Sequence, residues 1–157
     1  MARHLNLPDE AATLALGAAL AKGIAPGRVL HLQGELGAGK TTVTRGLLRA
    51  LGYQGRVKSP TYTLVELYPL SSLNLYHFDF YRFKDREEWL SSGFRDYFNP
   101  ESACIVEWPE RANGLLSPPD LSLTLTFEGE ARRAVLEAGS PAGVAWLSPL
   151  SSSPSSS

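Results

Sequence analysis

The first third of the chain alternates between helical and extended patterns of apolar residues. Leu16, Leu20 and Ile24 recur at the spacing of one helix face. Asp9 and Gly23 are residue types that favour the start and the end of such a helix. The predicted elements are, in order, a helix between Asp9 and Gly23, a strand over 28–33 and a helix over 41–51.

Extended patterns dominate the rest of the chain. Segments 62–68 and 74–80 are rich in β-branched and aromatic side chains, and Pro69 with two serines separates them, which predicts a hairpin. The further predicted elements are a short helix over 85–92, a strand over 103–107, a loop over 109–120 and a second hairpin formed by 121–127 and 131–137.

The composition changes near the C-terminus. Residues 148–157 comprise seven Ser, two Pro and one Leu. This is too little apolar surface to offset the entropy of ordering the chain. We therefore expect a single domain over 1–139 and a disordered Ser/Pro-rich tail over 140–157.

Composition and charge restrict the class of protein. The chain has 157 residues, of which 43% are apolar and 20% are charged, as in an ordinary globular domain. The net charge is −1, and residues 1–58 carry eight Lys and Arg against three Asp and Glu, which is too small an excess to predict strong binding to DNA or RNA by the chain alone. The single cysteine, Cys104, and the lack of an apolar run of about 18 residues predict a cytoplasmic protein with no membrane partner.

A glycine-rich loop lies between the first predicted strand and the second helix. Its sequence, Gly34–Thr41, matches the phosphate-binding pattern G-x-x-x-x-G-K-[ST] in full. Backbone N–H groups of such a loop bind phosphate oxygens, Lys40 can reach the terminal phosphates, and the Thr41 hydroxyl can bind Mg²⁺. The predicted nucleotide contacts in this segment are Gly34, Glu35, Leu36, Gly37, Ala38, Gly39, Lys40, Thr41 and Thr42. The sequence has no guanine-reading N-K-x-D motif, which favours ATP over GTP.

Two acidic residues are candidates to complete an ATP-hydrolysing site. Glu107 ends the apolar run 103–107, the place of a Mg²⁺-binding carboxylate at the carboxyl end of a parallel strand. Asp79 is flanked by aromatic residues, where a carboxylate requires a cationic partner such as Mg²⁺ or Arg82. The alternatives are a surface acid for Glu107 and a structural salt bridge with Arg82 for Asp79.

The segment 59–63, Ser-Pro-Thr-Tyr-Thr, occupies the position in which many P-loop proteins have a switch that senses the terminal phosphate. Thr61 is the candidate sensor, and a solvated turn is the alternative. His77 is expected on the strand face opposite Phe78, in a structural role. Trp108 either covers the nucleotide or packs within the protein.

In their order along the chain, these motifs resemble the bacterial TsaE family, the ATPase component of tRNA threonylcarbamoyladenosine biosynthesis. The resemblance spans roughly residues 5–137 and rests on segments 7–10, 34–42, 57–65, 77–82 and 107–109. It implies an α/β P-loop NTPase fold with a mixed, mainly parallel sheet flanked by helices and a C-terminal β-hairpin.

The resemblance also implies an activity and partners. The activity would be slow, Mg²⁺-dependent ATP hydrolysis that depends on the threonylcarbamoyl-transferring subunit TsaD and its relative TsaB. These proteins together modify the adenosine beside the anticodon, and the tRNA would be held indirectly, through the complex. Carried over by motif, the catalytic residues are Lys40, Asp79 and Glu107, the metal ligands are Thr41, Asp79 and Glu107, and the nucleotide contacts extend to Glu10, Thr61, Trp108 and either Arg132 or Arg133.

Two other functions remain open on the residues alone. A small-molecule kinase would carry an arginine-rich lid, and the nearby basic cluster is limited to Arg82, Lys84 and Arg86. A nucleotide-gated binding module would bind ATP, and its hydrolysis would be incidental. Slow phosphate release from ATP without an acceptor distinguishes the ATPase from the kinase.

Overall fold

Short apolar segments of the chain assemble into one mixed β-sheet. The computed structural model describes residues 1–150. Its strands are β1 (Ala2–Leu7), β2 (Val29–Gln33), β3 (Val65–Pro69), β4 (Asn74–Asp79), β5 (Ser102–Glu107), β6 (Leu121–Glu128) and β7 (Ala131–Ala138). They lie in the order β1-β7-β6-β2-β5-β4-β3, with β2 at the centre.

Parallel and antiparallel pairings occupy different parts of this sheet. The four inner strands β6, β2, β5 and β4 run parallel to one another. The outer strands form antiparallel pairs: β3, at one edge, pairs with β4, and on the other side β7 pairs with both β6 and the edge strand β1. Both predicted hairpins are therefore present, and the predicted α/β fold with a mixed sheet is confirmed.

The helices begin and end at residues that suit those positions. They are α1 (Glu10–Ala21), α2 (Lys40–Ala50), α3 (Arg86–Ser92) and α4 (Pro141–Leu147), with 3₁₀ turns at Phe94–Tyr97 and Pro109–Ala112. The side chains of Asp9 and Asp85 accept hydrogen bonds from the first-turn amides of Ala12 and Glu88, at 2.9 and 3.1 Å. Gly93 ends α3 with a φ of 72°. Among the described helices, none has the length and apolar character that a membrane span requires.

The two faces of the sheet carry separate apolar clusters. Helices α1 and α2 cover one face, where Leu30, Leu32 and Ile105 are completely buried. The opposite face carries a mainly aromatic cluster that includes Phe78, Phe80, Trp89 and Phe94. Successive residues of a strand point to opposite faces, so His77 lies on the face opposite Phe78, as predicted.

The register of the inner strands places two acids side by side. Asp79, the last residue of β4, lies opposite Glu107, the last residue of β5. Glu107 in turn lies opposite Leu32 of β2, and Gly34 follows β2 directly. The carboxyl ends of three parallel strands therefore meet at one edge, where ligands bind in sheets of this kind.

The C-terminal segment corrects the prediction of a disordered tail from residue 140 onwards. Ser140 caps α4, and its hydroxyl donates to the Asp120 carboxylate at 2.6 Å. Trp146 is 3% exposed and donates from Nε1 to a carbonyl oxygen of α1 at 2.9 Å. The predicted boundary at residue 140 assigned a short apolar segment to the tail, whereas the serine-rich composition begins only at Ser148. Residues 151–157 lie outside the described residues.

Strand β1 has no counterpart among the predicted elements. Leu5 and Leu7 are its large apolar residues, and of its six residues Leu7 alone is buried. The strand pairs with β7, with Arg3 opposite Leu136 and Leu7 opposite Arg132. Because this partner lies near the other end of the chain, no local pattern could indicate the pairing.

Candidate active site

The glycine-rich loop adopts backbone conformations that side chains disfavour. Gly34 has a φ of 149°, and a Cβ atom there would lie 2.7 Å from the Leu125 carbonyl oxygen of β6. Gly39 has a φ of 110° and directly precedes α2. None of the described side chains caps this helix, so its first-turn N–H groups are available to an anionic ligand.

Lys40, the first residue of α2, is 5% exposed. Its ammonium group donates to the Gly34 carbonyl oxygen and lies 3.8 Å from the centre of the Trp108 ring. Burial lowers the pKa of Lys40, and nearby carboxylates, Glu107 foremost, act in the opposite direction. These contacts hold a positive charge beside the loop. Trp108 lines the site, and its half-buried side chain also packs against the aromatic cluster.

Glu107 is 2% exposed, so the alternative of a surface acid is wrong. Its Oε2 atom lies 2.6 Å from Nε2 of His77 on the adjacent strand β4. The hydrogen bonds of the described residues give this carboxylate one protein donor. A buried carboxylate with a single donor keeps lone pairs available for a cation.

Asp79 is 3% exposed, and both of its carboxylate oxygens accept hydrogen bonds. Oδ1 accepts from the backbone N–H of Tyr81 at 2.9 Å. Oδ2 accepts from the Ser59 hydroxyl, and the Thr61 hydroxyl lies 3.4 Å from the same oxygen. Within the described part of the chain Asp79 forms no salt bridge with Arg82, whose guanidinium instead lies 4.6 Å from the centre of the Tyr62 ring.

A cavity of about 410 Å³ unites the predicted catalytic and metal-binding residues. Its lining residues come from the glycine-rich loop, the 59–63 segment and the strand ends, and include Leu36, Lys40, Thr41, Thr42, Ser59, Thr61, Asp79, Glu107 and Trp108. Side chains that are distant in the sequence therefore face one space large enough for a polyphosphate.

A second cavity, of about 460 Å³, lies against the same loop and α2. Its lining includes the predicted nucleotide contacts Glu10, Gly37, Ala38, Gly39, Thr42 and Arg132. One guanidinium nitrogen of Arg132 lies 3.4 Å from the Gly37 carbonyl oxygen, whereas that of Arg133 lies 3.4 Å from His4 on β1. The structure therefore brings Arg132, not Arg133, to the loop. Of the predicted loop contacts, Gly34 and Glu35 line neither cavity.

Sequence reasoning did not include Ser59 and His77 among the contacts of this site. Ser59 lies in the segment predicted as a switch, but Thr61 was the predicted sensor. His77 was expected to be structural, yet it contacts the Glu107 carboxylate. Alternation along β4 was the available signal, because it places His77 on the same face as Asp79.

The side chains at this edge have complementary chemistry. Thr41, Asp79 and Glu107 offer hydroxyl and carboxylate oxygens, the donor type that Mg²⁺ prefers. The loop amides and Lys40 offer hydrogen-bond donors and positive charge, which suit phosphate. The arrangement can hold a phosphate anion and a divalent cation next to a carboxylate able to orient water.

The chain matches a family model over residues 7–135, and that family is described as threonylcarbamoyl adenosine biosynthesis protein TsaE. The matched range includes the glycine-rich loop, the 59–63 segment and both buried acids. The chain belongs to the TsaE family.

Individual relatives and a solved structure agree with this family assignment. The tRNA threonylcarbamoyladenosine biosynthesis protein TsaE of Haemophilus influenzae is 49% identical over 108 residues, which cover 69% of this chain and 68% of that protein. The protein of the same name from Bacillus subtilis is 40% identical over 133 residues, covering 85% and 81%. A crystal structure of Bacillus subtilis YdiB matches with a TM-score of 0.79 and 27% identity, covering 95% of this chain and 93% of that one. The resemblance to TsaE that the motifs indicated is thus confirmed.

Proposed function

We propose that this TsaE-family protein is an Mg²⁺-dependent ATPase that acts in tRNA threonylcarbamoyladenosine biosynthesis together with TsaD and TsaB. The observation that carries the proposal is the convergence of Lys40, Asp79 and Glu107, each at most 5% exposed, on one cavity beside the glycine-rich loop. Burying three ionisable side chains is costly for a purely structural purpose. Their burial supports a site that an anionic ligand and a cation complete.

ATP binding would use the loop and the two cavities that border it. The loop amides and the first turn of α2 would hold the phosphates, and Lys40 would exchange the Gly34 carbonyl for phosphate oxygens. The nucleoside would lie in the second cavity, beside Glu10 and Arg132. Both cavities are lined by Gly37, Gly39 and Thr42, which supports one extended ligand that occupies the two.

The buried acids differ in a way that supports distinct roles. Glu107 has one protein donor, whereas both oxygens of Asp79 accept hydrogen bonds. We therefore assign Mg²⁺ binding to Thr41 and Glu107, with Asp79 close by. We assign to Asp79 the role of holding the 59–63 segment next to the terminal phosphate. When bound, Mg²⁺ would neutralise phosphate charge as the bond to the γ-phosphate breaks.

Exposed apolar side chains beside the site support dependence on partners. Leu36 is 62% exposed and lines the cavity of about 410 Å³, which we call the phosphate cavity. Phe127 is 46% exposed and lies beside the Arg132 guanidinium. Tyr62 is 82% exposed next to Arg82. A partner surface that covered these side chains would close the site and raise turnover. With a net charge of −1 the chain itself has little attraction for tRNA, which supports indirect tRNA contact. The relatives' part in tRNA modification supports a cytoplasmic location.

The nucleotide-binding part of the proposal is tested with Lys40→Ala. We expect ATP affinity to fall about 10-fold or more, because a hydrogen bond to a charged group contributes about 1.5–3 kcal/mol. Lys22→Ala is the matched control, since Lys22 is exposed and lines neither of the two cavities. Equilibrium titration with ATP measures both. Unchanged affinity in Lys40→Ala would refute the assignment of the phosphate site.

The hydrolytic part is tested by phosphate release. We expect slow release from ATP without any acceptor, faster release with TsaD and TsaB present, and loss of release with partial retention of ATP binding in Glu107→Ala. Survival of turnover in that variant would make Asp79 the principal acid. Binding without any hydrolysis would leave the nucleotide-gated module as the better description.

Rapid phosphoryl transfer to a metabolite would instead favour a small-molecule kinase. One structural observation weighs against it. Arg82 lines the phosphate cavity, whereas Arg86 of the same basic cluster lines a different cavity, against α3 and the 114–117 loop. The cluster therefore does not converge on the phosphates as a kinase lid does.

A further inference from the structure

His77 makes a buried contact that its place in a strand does not require. It lies on β4, its side chain is completely buried, and its Nε2 atom is 2.6 Å from Oε2 of Glu107. Because His77 lies opposite Ile105 and Asp79 lies opposite Glu107, the contact runs diagonally across two hydrogen-bonded strands. Both side chains are therefore held by rigid parts of the sheet and not by a loop.

The second ring nitrogen of His77 indicates which way the hydrogen bond runs. Nδ1 is buried and has no hydrogen-bond partner among the described residues. A proton on Nδ1 would leave a buried donor unsatisfied, which costs more than an unsatisfied acceptor lone pair. The proton therefore belongs on Nε2, which donates to Glu107.

We propose that His77 is a positioning residue for Glu107. By occupying Oε2, it fixes the rotation of the carboxylate and leaves Oε1 as the oxygen for a cation in the cavity. This inference rests on the proposed Mg²⁺ site. Carboxylates that bind metals are typically held by such hydrogen bonds, and loss of the supporting group lowers metal affinity or activity about 10–100-fold.

The two buried acids would then be oriented by different parts of the protein. Asp79 accepts hydrogen bonds from Ser59 and from the Tyr81 backbone, next to the 59–63 segment. Glu107 depends on His77. Loss of the His77 donor should therefore affect the response to Mg²⁺ and leave the contacts of the loop with Mg²⁺-free ATP intact.

The test compares His77→Gln with His77→Met. The two replacements have similar length and volume, but only glutamine carries an N–H group at the distance of histidine Nε2. In His77→Met we expect the Mg²⁺ concentration for half-maximal tightening of ATP binding to rise about 10–100-fold, with ATP affinity in EDTA changed less than about twofold. The turnover number should fall and the KM for MgATP should rise with the weaker Mg²⁺ binding, and His77→Gln should recover most of these losses.

Each outcome bears on the inference. A wild-type Mg²⁺ response in His77→Met overturns the inference. An equal loss in His77→Gln and His77→Met also overturns it, because the site would then require the imidazole ring itself and not its N–H group. If thermal melting shows that His77→Met does not fold, His77→Asn replaces it, since asparagine reaches only the Nδ1 position, and a full response in that variant overturns the inference too. Wild-type protein without Mg²⁺-dependent ATP binding would refute the proposed function itself, which no His77 variant can do.

Discussion

The Lys40 ammonium group lies 3.8 Å from the centre of the Trp108 ring. Lys40 also donates to the Gly34 carbonyl oxygen, so the protein itself accepts one of its three N–H donors. Trp108 has a φ of 56°, a left-handed conformation that is uncommon for a bulky residue and that the surrounding contacts must stabilise. The fold therefore holds these two side chains in contact within the lining of the phosphate cavity.

The Lys40–Trp108 contact predicts an optical signal for nucleotide binding. If Lys40 turns towards the phosphates, the Trp108 ring loses its nearer cation while Arg111 stays 5.7 Å from its centre, and its fluorescence should change. The other two tryptophans, Trp89 and Trp146, are buried elsewhere in the protein. A titration with MgATP should therefore change the emission of the wild-type and Trp89→Phe proteins. A response of equal size in Trp108→Phe would show that Lys40 does not move away from this ring.

How much of this site was predictable depends on whether its parts are local in sequence. Gly34–Thr41 is continuous, and Glu107 ends a recognisable strand, so both were identified from residue types and spacing. The His77–Glu107 hydrogen bond depends instead on β4 lying beside β5 in a particular register. Helix α4 depends in the same way on a core that Trp146 completes. Strand order and distant packing are tertiary properties, and no local pattern specifies them.

From the hydrogen bond of the Ser59 hydroxyl we predict that alanine substitutions at Ser59 and Thr63 differ in their effect on the free energy of unfolding. It donates to the Asp79 carboxylate, which is 3% exposed. Ser59→Ala would leave that buried oxygen without this donor and should lower the free energy of unfolding by about 1–3 kcal/mol. Thr63→Ala is the control, because Thr63 is exposed, and its effect should stay within about 0.5 kcal/mol. Urea unfolding of nucleotide-free protein measures both, and equal effects would contradict the role of Ser59.

Trp146 predicts that the C-terminal helix is part of the folded domain. Its side chain is 3% exposed and hydrogen-bonded to α1. Trp146→Ala should therefore cost about 3–5 kcal/mol, the usual effect of truncating a large buried aromatic. Val144 on the same helix is 43% exposed, and Val144→Ala should change stability by less than about 1 kcal/mol. Denaturant unfolding curves that shifted equally for the two variants would show that α4 does not contribute to the core.

His31 predicts how stability depends on pH. It lies on β2, is 8% exposed, and its Nε2 atom is buried without a hydrogen-bond partner among the described residues. Burial lowers its pKa from 6.5 to about 4. At pH values between 6.5 and about 4 the unfolded chain binds the proton and the folded protein does not. The free energy of unfolding should therefore decrease by about 3 kcal/mol as the pH falls through this range. His31→Leu removes this titration and leaves all others, so its unfolding free energy should decline less over the same range. Parallel curves for the two proteins would show that His31 is accessible to protons in the folded state.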